Sequence, residues 1–340
     1  MVSLTRERVF VGLDYHQLSV QVCVLDDTGR VLHNASLAND VAAIATVARR
    51  YGQRIEAAIE CCCGAANLAK QLREQGWSIS LAHAGFVSRM KQNPDKTDFA
   101  DARILADLVR VGYLPKVWLA PDEIVELRRL IRFRQQLVNE RRNIKLRIRG
   151  LLRDERMPVS TESGKAWTKG WLSLLPTLPL PATAHWILEQ QLARLTDLGQ
   201  RIVQIEQRLK QRLEHDAVVQ KLLQQPGIGW VTAATIRAEI AEFDRFHSGK
   251  QLARYCGLSP RNASSGERQS DAGLIKAGNP QLRAVLIEAA HRLLWREEHW
   301  QQFAAGLLRR GKPKSLVVAA VANRWIRRLY HQMQPEQLAA

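Results

Sequence analysis

Apolar residues alternate with polar ones in three short runs near the N-terminus, predicting strands at Val9–Leu13, Ser19–Leu25 and Val31–Ser36. The last two are joined by the turn signal Asp26-Asp27-Thr28-Gly29. The period then changes. Asn39-Asp40 caps a predicted helix over about Val41–Tyr51, Ile55–Glu60 reads as a buried strand, Ala65–Glu74 as a helix stopped by Gly76, and Ser78–Ala82 as a further strand. Thr97 caps a helix to about Val111, with Ile104, Leu105 and Leu108 on one side. Strands first, then strands alternating with helices, predict an α/β domain over 1–118, a mixed sheet with helices on its faces.

Beyond it the pattern is helical. Asp122–Arg156 carries Leu127, Leu130, Leu137, Ile144, Ile148 and Leu151 at close to a 3-4 spacing, interrupted by Arg134 and Arg141. A second pattern carries Leu188, Leu192, Leu195, Ile202, Ile205 and Leu209, so that 119–218 is predicted as two helices paired in an antiparallel coiled coil. Between them 158–182 is an irregular insertion, rich in Pro and Gly, whose Trp167 and Trp171 are expected to pack. Residues 219–340 read as all-α, with one Gly- and Ser-rich excursion at 257–278 and a last helix over Leu316–Tyr330.

Charge narrows the partner. Fifty Lys and Arg against 33 Asp and Glu in 340 residues give +17, which favours a polyanion, nucleic acid first. No apolar run has the length of a spanning helix, and the N-terminal stretch has no signal-peptide core, so the protein is read as cytoplasmic and without a membrane partner. Cys23, Cys61, Cys62, Cys63 and Cys256 form no disulfide or zinc pattern; the run of three is expected to pack as small apolar residues behind a strand end.

Four acids form the sharpest chemical signal. Asp14 and Glu60 end predicted strands, and Asp98 and Asp101 share one helix face at i and i+3. Brought together they repel unless cations lie between them, and hard oxygen donors suit Mg²⁺ or Mn²⁺. Each also has a plainer reading, as a turn residue, a solvated strand end or a helix N-terminal charge preference. The segment Leu223–Glu239, with Gly227 and Gly229 in its turn, has the form of a helix-hairpin-helix that brings backbone N–H groups to a phosphate, or of an ordinary αα-hairpin. Between Arg128 and Arg156 eleven Arg or Lys face three acids, and Arg128, Arg132, Arg141, Arg142, Lys145 and Arg149 are candidate phosphate contacts to DNA or RNA.

The stretches Phe10–Asp14 (FVGLD), Ala58–Glu60 (AIE) and Lys96–Ala106 (KTDFADARILA) resemble the DEDD motif of the RuvC-like transposases of bacterial insertion sequences, a family related to the Piv invertases whose members are described as bridge-RNA-guided recombinases. Residues Gly257–Ala290 resemble the C-terminal signature of the same family. The resemblance implies a RuvC/RNase H-like N-terminal domain, a coiled-coil middle and an all-α C-terminal transposase domain. It further implies a metal site of Asp14, Glu60, Asp98 and Asp101, and a catalytic serine at Ser265, beside Ser264 and directly before Gly266. No local base activates that serine, so the acid cluster is its expected helper. The partners implied are DNA, a structured guide RNA and further copies of the chain, as a dimer or tetramer in synapsis. The Cys61–Cys63 run departs from the small residues usual in the family. Two rival functions are a hydrolytic metal nuclease such as a junction resolvase, which has no need of Ser265, and a non-catalytic nucleic-acid-binding protein, which has no need of the acids.

Overall fold

The computed structural model describes residues 6–90, 97–157, 166–262, 271–275 and 277–334. The chain divides into two compact units, Met1–Ala120 and Pro121–Ala340.

The first unit is built on a sheet. Strands β1 (Arg6–Tyr15), β2 (Ser19–Leu25) and β3 (Val31–Ala38) form the antiparallel meander that the alternation predicts. Asp26 closes the β2–β3 turn by accepting hydrogen bonds from the Thr28 and Arg30 amides and the Thr28 hydroxyl. Helix α1 (Val41–Arg49) starts at Asp40, whose carboxylate accepts from the Ala43 amide. Next come β4 (Gly52–Glu60), α2 (Ala65–Glu74) and β5 (Ser78–Ala82), followed by α3 (Ala84–Met90), α4 (Asp98–Arg110) and the short β6 (Lys116–Val117). The sheet order is β3-β2-β1-β4-β5-β6, with β1, β4 and β5 parallel and β6 antiparallel to β5.

Both faces of this sheet are covered, which is why its inner strands are apolar at nearly every position. Val9, Val11 and Leu13 of β1 and Val20, Val22 and Val24 of β2 pack on one face with Ile44 of α1 and Leu68 and Leu72 of α2. On the other face Phe10, Cys23 and Leu25 meet Ala102 and Ala106 of α4. Small residues on α4 bring its axis close to the sheet.

The second unit is almost wholly helical. Helices α5 (Asp122–Asp154), α6 (Lys169–Leu174), α7 (Ala182–Leu213), α8 (Ala217–Leu223), α9 (Trp230–Ile240) and α10 (Gly249–Tyr255) lead to a two-stranded ribbon, β7 (Pro260–Asn262) with β8 (Asp271–Leu274). Helices α11 (Pro280–Arg296), α12 (Glu298–Arg309) and α13 (Lys314–Met333) complete it. The two long helices pack along each other. Their apolar line differs from the predicted one at two points of α5, where Ile131 and Leu152 are buried while Leu130 and Leu151 sit at the margin. Arg134, which interrupts the pattern, pairs with Glu206 of α7 at 2.6 Å, so the interruption is a charged cross-link between the helices. Trp171 is buried in the helical core, and Trp167 packs edge-on against it with ring centroids 4.8 Å apart. No helix among the described residues is long and apolar enough to cross a membrane.

Candidate active site

Parallel pairing of β1 and β4 sets Leu13 opposite Ile59, so the next residue of each strand, Asp14 and Glu60, emerges at the same end of the sheet. Helix α4 brings its first turn to that end. Its start is fixed by Thr97, whose hydroxyl accepts from the Ala100 amide, and its first turn carries Asp98 and Asp101. Gly12 decides how near the helix comes: a Cβ there would stand 1.9 Å from the Ala102 carbonyl oxygen and 2.5 Å from the Ala106 nitrogen. Any side chain at Gly12 would push α4, and its acids, off the sheet.

Asp101 is buried, Asp14 and Glu60 are half-buried, and Asp98 is exposed. Burial raises the Asp14 pKa above the usual carboxylate value, His16 pulls it back, and the charges of Asp98, Asp101 and Glu60 push it up again. The four acids thus share one electrostatic neighbourhood. Two of them come into direct register with a residue that the sequence pattern did not single out, His16, whose Nε2 lies 3.5 Å from Asp14 Oδ2 and 3.2 Å from Asp98 Oδ2. Donor atoms of Asp14, His16 and Asp98 all fall within 4.8 Å of one another. Carboxylate oxygens converging beside an imidazole nitrogen, with charge repulsion already written into the Asp14 pKa, form a donor set that fits a divalent cation.

Cys61, Cys62 and Cys63 lie in the turn between β4 and α2. They are exposed, which corrects the expectation that they pack behind the strand end. The turn is instead anchored by Gly64 at a φ of 92°, where a Cβ would come within 2.2 Å of the Tyr15 hydroxyl. Partial burial raises the thiol pKa values of Cys61 and Cys62, and the charge of Glu60 adds to the rise.

In the second unit the candidate phosphate contacts separate into two groups. Arg128 donates to the carbonyls of Ala238 and Glu239 at 2.8 and 3.2 Å, and Arg132 grips both oxygens of Glu239 at 3.1 and 3.2 Å. Glu239 is 1% exposed and also accepts from Asn279 Nδ2 at 2.8 Å, so these two arginines help to tie α5, α9 and α11 together around a buried acid. Arg141, Arg142, Lys145 and Arg149 lie further along α5. Lys145 Nζ stands 4.8 Å and the Arg149 guanidinium 5.6 Å from the Trp167 ring centroid. Burial, then the charges of Arg141 and Arg149, lower the Lys145 pKa.

The glycine turn lies between α8 and α9. Gly227 has a φ of 80°, and a Cβ on it would sit 3.3 Å from the Ala289 carbonyl oxygen of α11. Gly229 starts α9 without a side-chain cap, and a cavity of about 400 Å³ opens here, lined also by Arg292 and Arg296 of α11. Those two arginines, more than sixty residues away along the chain, carry no signal in the sequence that ties them to this turn. Ser265, Ser264 and Gly266 lie outside the described residues, as does Lys96; the flanking strands β7 and β8 pair with each other.

A covered α/β sheet gathering acids at one end, followed by a strongly basic helical unit, defines a class of enzyme that works on nucleic-acid phosphates. Residues 11–156 match the family model of the IS110-type DEDD transposases, and residues 219–305 that of the Transposase IS116/IS110/IS902 family. The chain belongs to the IS110-family DEDD transposases, enzymes that act on DNA. Over 289 residues, 82% of this chain and 84% of the relative, it is 29% identical to a protein of Pseudomonas aeruginosa named as a probable family 20 transposase. It is 25% identical over 287 residues, 84% of this chain and 77% of the relative, to the transposase for insertion sequence element IS1111A of Coxiella burnetii. A 103-residue stretch, 29% of this chain and 31% of the relative, is 32% identical to the pilin gene-inverting protein of Moraxella bovis.

Proposed function

We propose that this transposase cuts and rejoins DNA through Ser265, assisted by Mg²⁺ or Mn²⁺ held by Asp14, Glu60, Asp98 and Asp101, and that a structured bridge RNA guides it. The observation that carries the metal half is the meeting of Asp14, at the end of β1, with the first turn of α4. A cation bound there supplies Lewis-acid stabilisation of charge developing on phosphate oxygens. The Ser265 hydroxyl attacks phosphorus, a serine–phosphate bond replaces the bond to the departing deoxyribose oxygen, and attack by another strand's hydroxyl reverses the exchange. Bond energy is conserved, so rejoining needs no external source.

Residues 1–118 act as the RuvC/RNase H-like metal domain, a reading supported by the meander that continues into parallel strands. Residues 119–218 form the coiled coil, with α5 against α7 and an insertion near 158–182, and 219–340 the C-terminal transposase domain. There α8, the turn at Gly227 and Gly229, and α9 serve as a helix-hairpin-helix that holds phosphate through backbone N–H groups. Arg141, Arg142, Lys145 and Arg149 track phosphates of DNA or guide RNA, while Arg128 and Arg132 hold Glu239. The working form in synapsis is a dimer or tetramer of the chain.

Covalent trapping tests this reading. With a nicked DNA substrate, guide RNA and Mg²⁺, the wild-type protein should give a denaturation-resistant adduct that maps to Ser265. Ser265→Ala should bind nucleic acid and metal yet form neither adduct nor recombinant, and Ser264→Ala should form both. Cleavage without any adduct would establish the hydrolytic nuclease instead.

A further inference from the structure

We infer that His16 is a nitrogen ligand of the cation taken by the acid cluster, and that it tilts the site toward Mn²⁺ over Mg²⁺. This deepens the metal reading above and rests on it. Its ground is spacing. Neighbouring ligands of a six-coordinate ion with bonds of about 2.1 Å stand about 3.0 Å apart. His16 Nε2 is 3.2 Å from Asp98 Oδ2 and 3.5 Å from Asp14 Oδ2, so the imidazole nitrogen already stands from each oxygen at close to the separation that neighbouring ligands adopt, and donor atoms of all three residues lie within 4.8 Å of one another.

The position of His16 is fixed by its backbone. Its amide donates to the Ser19 carbonyl at 2.9 Å and its own carbonyl accepts from Asn39 Nδ2 at 3.1 Å, which pins the β1–β2 turn under the ring. The side chain itself is 49% exposed, so no packing demand turns it toward the acids. Mg²⁺ takes oxygen ligands and gives up water reluctantly, whereas imidazole suits transition ions. An imidazole beside the carboxylates therefore favours Mn²⁺.

Pulsed electron paramagnetic resonance on the full-length protein loaded with Mn²⁺ alone tests this without any turnover. The wild type should show nitrogen coupling to the ion, and His16→Ala and His16→Gln should lose it while their circular dichroism and melting profiles stay native. By calorimetry the same variants should lose about tenfold in Mn²⁺ affinity, with Mg²⁺ affinity altered less than about twofold. Coupling that persists in His16→Ala, or is absent from Mn²⁺-loaded wild type, overturns the inference. If Mn²⁺ binding is lost in Asp101→Asn but indifferent to His16, the acid site stands and His16 is only an ion-pair partner of Asp14 and Asp98. If wild type binds no Mn²⁺, the metal reading falls together with this one.

Discussion

The Ala102 carbonyl of α4 rests on Gly12 of β1 so closely that a Cβ at Gly12 would stand 1.9 Å from the oxygen. Gly12→Ala must therefore lift α4. Overpacking of this kind typically costs about 1–3 kcal/mol, and here the displaced element also carries Asp98 and Asp101. The urea midpoint should fall and calorimetric Mn²⁺ binding should weaken together. A variant with wild-type stability and binding would show that the close approach is unimportant.

Cation removal should soften the first unit. Ligand at a hundred times its dissociation constant stabilises the folded state by about 2.7 kcal/mol, so Mg²⁺ or Mn²⁺ should raise the melting temperature and a chelator should reverse the rise. Asp101→Asn should abolish the shift. Persistence of the full shift in that variant would remove Asp101 from the site.

Salt dependence separates the two sets of basic residues. Arg141→Glu with Lys145→Glu should weaken binding to DNA of any sequence and make the slope of log affinity against log salt shallower by about one for each phosphate that is no longer neutralised. A slope equal to that of wild type would place the phosphate path elsewhere.

Glu239 should behave as a structural acid. Removing one partner of a buried ion pair costs about 3–5 kcal/mol, so Glu239→Ala should lower the denaturation midpoint strongly and Glu239→Gln less, since the amide oxygen still accepts from Arg132. A loss below about 1 kcal/mol in the alanine variant would contradict the role given to the cluster.

Thiol labelling reports on both units. Burial pushes the Cys23 thiol up to about 12 and that of Cys256 higher still, so both should stay silent until the protein unfolds. Cys61, Cys62 and Cys63 are exposed and should react in the native state. For Cys61 and Cys62, whose pKa values are raised, the rate should go on increasing at pH values where an ordinary thiol has levelled off. Native-state labelling of Cys23 would point to an opening of the sheet.

Strands β1 to β5, α1, α2, α4 and the two long helices were legible because each carries its own period and punctuation: Asp40 and Thr97 are caps readable in isolation, and Gly76 is a stop, whereas the β7–β8 ribbon departs from the all-α expectation for 219–340. The strand-end and helical placement of Asp14, Glu60, Asp98 and Asp101 was legible for the same reason. What escaped depends on residues far apart in the chain. Helix α3 has seven residues, too few turns to display a stripe, and β6 has two, which exist as a strand only because β5 pairs with them. A histidine two residues after an acid carries no signal until Asp98, brought in by α4, stands beside it. Arg132 reads as a phosphate contact in the sequence because Glu239, the buried acid it bonds, is 107 residues away.

One further feature bears on how such a chain can change. Gly257 and Gly278 lie back to back: a Cβ on Gly278 would meet the Gly257 nitrogen at 2.1 Å, and the Asn279 amide donates to the Tyr255 carbonyl at 2.8 Å. The chain leaves α10 and re-enters α11 through a neck with no room for side chains. Just past this neck Leu258 is buried in the helical core, and its carbonyl accepts from Asn323 Nδ2 of α13 at 3.1 Å. A single methyl group at Gly278 would therefore part the end of α10 from the start of α11, and with them the two ends of the segment that carries the family-like signature.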